Sequence, residues 1–131
     1  MLSKEQHIQF WQRQVEDDAE AMTILFAKKK YVQSLFWAHL VAEKLAKALW
    51  IQHNAENVPP KTHNIAMLIA RTPLNPPEEM VELMLFANRF NLEGRYPEYI
   101  ENLKMLSTAS FAKESHEKIN ILIQWLKQHL P

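Results

Sequence analysis

The chain holds one glycine, Gly94, among its 131 residues. Glycine supplies the positive backbone angles of tight turns and the close backbone approach of phosphate loops. A chain this poor in it cannot carry a dinucleotide fingerprint or a P-loop, which need several glycines. It also argues against an all-β fold, whose turns consume glycine. What remains is helix. The length fits one domain, residues 1–131, with a single core. Cysteine is absent, so disulfides, iron–sulfur clusters and thiolate zinc sites are excluded.

Apolar spacing supports the helical reading. Ser3 is placed as the N-cap of a first helix whose Ile8, Trp11, Val15, Ala19, Met22 and Phe26 recur at three- and four-residue steps. The short link "AKKKY" predicts an antiparallel second helix. That helix, about Tyr31 to His53, is apolar nearly all round and therefore central. "NAENVPPKTHN" breaks it, and Thr62 or Asn64 caps a short helix through Ile65, Leu68 and Ile69. "RTPLNPPEEM" is a second break, read with Asn75 as N-cap and Pro76 at the first helical position. The fourth helix carries Met80, Leu83, Ala87 and Phe90 and stops within "NRFNLEGRYPEY". There Gly94 supplies a left-handed C-cap and Pro97 prevents the helix from resuming. A last helix runs from about Thr108 to His129. The expected architecture is all-α: an up-and-down four-helix bundle with an additional short helix.

The formal net charge is zero, which gives no global attraction to nucleic acid or anionic lipid. Charge is unevenly spread, however. Residues 28–53 set five lysines against Glu43, and residues 78–101 set six glutamates against Arg89 and Arg95. These segments complement one another within the fold or across a dimer. No apolar run approaches the ~18–20 residues of a membrane span. The N-terminal residues lack a basic stretch leading into an apolar one. A cytoplasmic protein is expected.

Few residues have the spacing of a chemical site. His39 and Glu43 share a helix face, but no second pair completes a metal site and Lys47 extends the same row. The serines sit in no strained turn. The carboxylate pairs Asp17–Asp18 and Glu78–Glu79 read as exposed helix faces or first turns, and His7, His53, His116 and His129 as surface residues. Lys44 and Lys47 are different, because cations on an otherwise apolar central helix must reach a partner or solvent. Either an acidic side chain or a phosphate fits that need. His63 follows two prolines and a threonine and reads as a cap, or as a cleft residue at one end of the bundle. A helix stop requires neither Arg95 nor Tyr96. Together they offer a planar fork for phosphate and an aromatic face for a base.

Three segments, in order, resemble the HEPN family (higher eukaryotes and prokaryotes nucleotide-binding). "AHLVAEKLAKALWI" resembles its second-helix pattern, "PPKTHNIAMLI" the following loop and short helix, and "LFANRFNLEGRYPEY" the Asn-aromatic and Arg-Tyr-Pro pattern of its fourth helix. The resemblance implies a helical homodimer and a small nucleotidyltransferase as partner, in the manner of a toxin–antitoxin pair. It implies a nucleotide ligand, no metal and no cofactor. By position the candidate nucleotide-binding residues are Glu43, Lys44, Lys47, His63, Asn88, Arg95 and Tyr96. Many members are metal-independent RNases that use an Arg, four to six residues, then His. No arginine of this chain has a histidine at that distance. RNA therefore enters only under an alternative, a non-standard RNase in which His63 is the acid or base and Arg95 stabilises the phosphate.

Overall fold

The computed structural model describes residues 1–131. It consists of six helices: α1 (Lys4–Ala27), α2 (Tyr31–His53), α3 (Ile65–Ala70), α4 (Glu78–Asn88), α5 (Pro97–Leu106) and α6 (Ala109–Gln128). None is long and apolar enough to cross a membrane. The all-α expectation holds, with one more helix than the spacing foresaw.

The centre of the bundle is α2. Fourteen of its 23 residues are buried, among them Ala38, Ala42, Ala46 and Ala48, all without exposure. These small side chains let neighbouring helices approach on several sides. The most extensive packing is against α1 and then α6, while α3, α4 and α5 close the remaining side. Leu35, Leu45, Leu49 and Ile51 of α2 join Ile119, Leu122 and Leu126 of α6 and Phe90 in one continuous apolar core.

Helix ends show why the boundaries fall where they do. Ser3 caps α1 with a full capping box: its Oγ accepts from the Gln6 amide, and the Gln6 side chain accepts from the Ser3 amide. Asn64 caps α3 by accepting from the Met67 amide, and Thr108 caps α6 through Phe111. The last carbonyls of α2 are met from outside the helix. The Lys4 ammonium donates to the carbonyls of Ile51 and Asn54, each at 2.7 Å, and to Asn57 Oδ1 at 2.9 Å. This contact ties the start of α1 to the end of α2, as the antiparallel pairing allows.

Two boundaries differ from the sequence reading, both at prolines. Helix α4 begins at Glu78 after Pro77, without a side-chain cap, so neither Asn75 nor Pro76 plays the expected role. Pro97 starts a helix rather than preventing one. It is the first residue of α5, where a missing N–H costs nothing because that group has no intrahelical partner. Gly94, at φ 75°, lies well past the end of α4. It serves a separate turn, closed by the Arg95 amide donating to the Leu92 carbonyl.

The α1–α2 connection ends in the left-handed conformation without a glycine. The Lys30 amide reaches the Leu25 carbonyl and the Lys29 amide the Phe26 carbonyl, the two bonds of a Schellman motif. Lys29 sits between them at φ 61°, where a Cβ is crowded.

Two histidines are buried where water does not reach them well. His39 is without exposure. His116, expected at the surface, is instead half-buried: its ring meets Phe26 edge-on and makes a short hydrogen bond with the buried Ser34 hydroxyl. Burial lowers the pKa of both rings below the ordinary 6.5. At His39 the carbonyl of His63 and the Glu43 charge oppose that effect without cancelling it.

Replacing Lys29 by glycine removes the Cβ crowding at an unchanged backbone. Lys29→Gly is expected to raise the unfolding free energy by about 1 kcal/mol, seen as a higher urea midpoint at the same slope. A lower midpoint would show that the side chain, not the backbone angle, sets the stability of the turn. The two histidines make a second prediction. Each is held neutral in the fold, and the unfolded chain binds the extra proton. Stability is therefore complete above about pH 6.5 and declines as pH falls below it. Urea titrations stepped between about pH 7.5 and 5 should show this decline, and His116→Gln should flatten it. An equal slope in that variant would rule His116 out as a contributor.

Candidate functional site

The position of Glu43 organises the site. It lies mid-way along α2 on the side facing the 54–64 connection, and only 3% of its side chain is exposed. A carboxylate so far from water must be paired. Lys47, one turn further along the same helix face, donates to Oε2 at 2.9 Å. The Lys47 ammonium also lies 5.4 Å from the centre of the Trp11 ring of α1. His63 Nδ1 meets the other oxygen, Oε1, at 2.8 Å. His39, one turn before Glu43, stands 3.6 Å from that same oxygen and donates through Nε2 to the carbonyl of His63 at 3.1 Å. His39 thus holds the backbone of His63 while Glu43 holds its ring.

The outer nitrogen of His63 is also occupied. Nε2 lies 2.8 Å from Glu93 Oε2, and the two side chains are 39% and 60% exposed. Both ring nitrogens therefore face carboxylate oxygens, which only accept. The ring satisfies both contacts only by donating from each nitrogen.

Asn88, the last residue of α4, joins this cluster to Arg95. Its Oδ1 accepts from the Ile65 amide at 3.1 Å, and its Nδ2 donates to Asn64 Oδ1 at 3.0 Å. It therefore fixes the start of α3 immediately after His63. The Asn88 carbonyl receives Arg95 Nη2 at 3.4 Å, and the Asn91 carbonyl receives Arg95 Nε at 3.1 Å. The guanidinium lies 4.1 Å from the centre of the Tyr99 ring, whose hydroxyl donates to the Arg89 carbonyl. Tyr96 has no such anchor and is 79% exposed.

Of the seven candidate residues, Glu43, Lys47 and His63 are in contact. Asn88 and Arg95 adjoin them through the start of α3 and the end of α4. Lys44 lies apart. One residue round the helix from Glu43, it faces α1 and pairs with Asp18 at 2.6 Å. That contact also corrects the reading of Asp18 as an exposed acid, since it is 5% exposed. Tyr96 stands in solvent beside Arg95. Two participants escape the sequence reading. Glu93 has no helical spacing that aims it at His63. His39 enters that reading as a neighbour of the Glu43–Lys47 pair or as a metal ligand, but not as the donor that holds the His63 backbone.

Pockets of about 280 to 780 Å³ lie elsewhere. An apolar pocket of about 300 Å³ lies between α1 and α6, lined by Met22, Phe26, Ile119 and His116 among others. A cleft of about 780 Å³ opens near Lys4, Gln9 and Gln52. The His63 cluster is a surface constellation, suited to one charged group rather than to engulfing a ligand.

Comparison with known proteins agrees with this architecture. The family model described as HEPN domain matches residues 8–129. The crystal structure of TT1696 from Thermus thermophilus superposes with a TM-score of 0.76 at 20% identity, over 94% of this chain and 98% of that one. ST0689, described as an archaeal HEPN homologue, superposes with a TM-score of 0.66 at 20% identity, over 95% and 98% of the two chains. At that identity the likeness is one of fold. Comparison with curated proteins gives no match. With the family model spanning nearly the whole chain, this protein belongs to the HEPN domain family.

Proposed function

We propose that the chain is a helical module that binds the phosphate end of a nucleotide. The observation that carries this reading is the His63–Glu93 contact. A side chain fixed from behind by a buried acid presents a donor outward, and the protein's own exposed carboxylate lies against it. A carboxylate in that place is a stand-in for another anion. Arg95 is two residues away in the same turn and retains guanidinium N–H groups beyond the two weakly engaged by backbone carbonyls. Tyr96, exposed next to it, offers a face on which a base can stack.

The division of roles differs from the one that sequence alone suggests. Lys44 and Lys47 are each engaged by an acid, Asp18 and Glu43, so the phosphate contacts fall to His63 and Arg95. Lys47 and Glu43 act behind them by holding His63. The homodimer and the small nucleotidyltransferase partner are inferred from family resemblance alone. The half-exposed Leu85 of α4 and Ile121 of α6 are apolar side chains that an association could cover.

Two charge-assisted contacts of roughly 1.5–3 kcal/mol each give at most a Kd of roughly tens of micromolar to several millimolar, and the cost of association places binding at the weak end of that range. Titration calorimetry with ATP, GTP and AMP should give measurable heats with wild type and a loss of about tenfold or more in affinity with Arg95→Ala and with His63→Ala. Negligible heats for all three nucleotides in the wild type would remove the reading.

One observation favours an alternative. A histidine oriented at Nδ1 by a buried carboxylate is also how a general acid is positioned. In a metal-independent RNase, His63 would donate a proton to the leaving oxygen and Arg95 would stabilise the phosphate. Incubation of purified protein with labelled RNA separates the readings. Cleavage that persists with chelator and is lost in His63→Ala supports the RNase. Intact RNA, with normal growth of a host expressing the protein, rejects it.

A further inference from the structure

We infer that the anion taken at His63 is a phosphate monoester rather than a diester, and that Glu93 is the residue that makes this choice. The inference rests on the phosphate-binding reading and specifies its ligand.

The Glu93 carboxylate is tethered at a single point. The only contact of its carboxylate is His63 Nε2, at 2.8 Å. The backbone of the turn is secured independently. The Glu93 amide donates to Asn91 Oδ1, Asn91 Nδ2 donates back to the Glu93 carbonyl, and the Arg95 amide closes onto Leu92. The carboxylate can therefore leave His63 by side-chain rotation while Gly94 and Arg95 stay in place. An ion pair this exposed is a weak restraint. On the inner side of the ring the arrangement is fixed, because Glu43 is buried and held by Lys47.

Charge then decides what replaces it. With Glu93 in position, Lys47 and the His63 ring already lie against two carboxylates, Glu43 and Glu93. A phosphodiester brings one negative charge, the same as the carboxylate it would displace, so the exchange gains little. A monoester brings about −1.5 to −2 near pH 7 and three acceptor oxygens. It replaces the carboxylate with a surplus of charge. Its additional oxygens offer acceptors to the Arg95 N–H groups that the Asn88 and Asn91 carbonyls do not take. Glu93 thus acts as a competitor that a monoester overcomes and a diester does not. It is a specificity-determining residue and not a catalytic one, since it vacates the place that the ligand occupies.

The experiment compares AMP with 3′,5′-cyclic AMP, which keeps base and sugar and changes the phosphate from monoester to diester. Calorimetric titrations at fixed ionic strength and about pH 7.5, where the monoester is mainly dianionic, are run on wild type, Glu93→Gln and Glu93→Ala. The wild type should prefer AMP by about tenfold or more. Both variants should bind cyclic AMP more tightly than wild type does, and the preference should shrink to a few-fold. Unchanged thermal melting would show that the variants keep the fold, as expected for a mostly exposed turn residue. Equal wild-type affinity for the two nucleotides, or an AMP preference that both variants preserve, overturns the inference while leaving phosphate binding intact. Absence of binding to either nucleotide in all three proteins overturns both.

Discussion

A carboxylate buried in the middle of an apolar helix is the constraint on which this end of the structure depends. Glu43 cannot be left unpaired at 3% exposure, because the desolvation cost of an isolated charge exceeds what a small domain has in reserve. Lys47 alone leaves one oxygen unanswered. His63 answers it from outside the helix, and this contact draws the proline-containing connection against α2. His39 adds a bond to the same backbone. The loop after α2 is therefore held at His63 by polar contacts to α2, and α3 starts immediately after it. Once Asn64 and Asn88 share their hydrogen bond, the end of α4 is fixed as well. Elements far apart in sequence meet here because a buried charge demands partners.

The same helix shows why two neighbouring lysines have separate roles. Successive residues of an α-helix are turned by about 100°. Lys47 is four positions from Glu43 and lies on its row, so the two pair within α2. Lys44 is one position away and faces α1, where Asp18 is buried to meet it. One cation serves the site, and the other fastens the first two helices across the core. The spacing alone separates these faces. It cannot tell which face lies against an acid and which against a loop, since that requires the packing of α1.

Legibility in the sequence follows the range of the interactions. The Ser3 cap and the start of α6 near Thr108 depend on residues within one turn of each other, and the local sequence conveys them. Pro97 carries two local meanings, a barrier to a preceding helix and a favoured first residue of a following one. The second applies, and it makes residues 97–106 helical where the sequence suggests a connection. The candidate site divides in the same way. The row His39–Glu43–Lys47 is local and visible as spacing. The approach of Glu93 to His63 spans thirty positions of chain and is produced by the turn at 91–95. No pattern of apolar residues reports it. The burial of His116 is hidden for a similar reason, because its partner Ser34 belongs to α2.

The geometry at His63 also bears on whether the site binds or reacts. An imidazole that donates from both nitrogens has no lone pair with which to take a proton. While Glu43 accepts at Nδ1 and an anion accepts at Nε2, the ring can hold that anion or give it a proton. It cannot act as a base. Cleavage of RNA needs both a base for the attacking hydroxyl and an acid for the leaving group. The other nearby carboxylates do not readily supply the base: Glu43 is buried and already engaged on both oxygens, and under the proposed binding mode Glu93 is displaced by the phosphate. Arg95 remains protonated under all physiological conditions. On the binding reading, with His63 and Arg95 both donating, the constellation is better suited to retaining a phosphate than to transferring its protons.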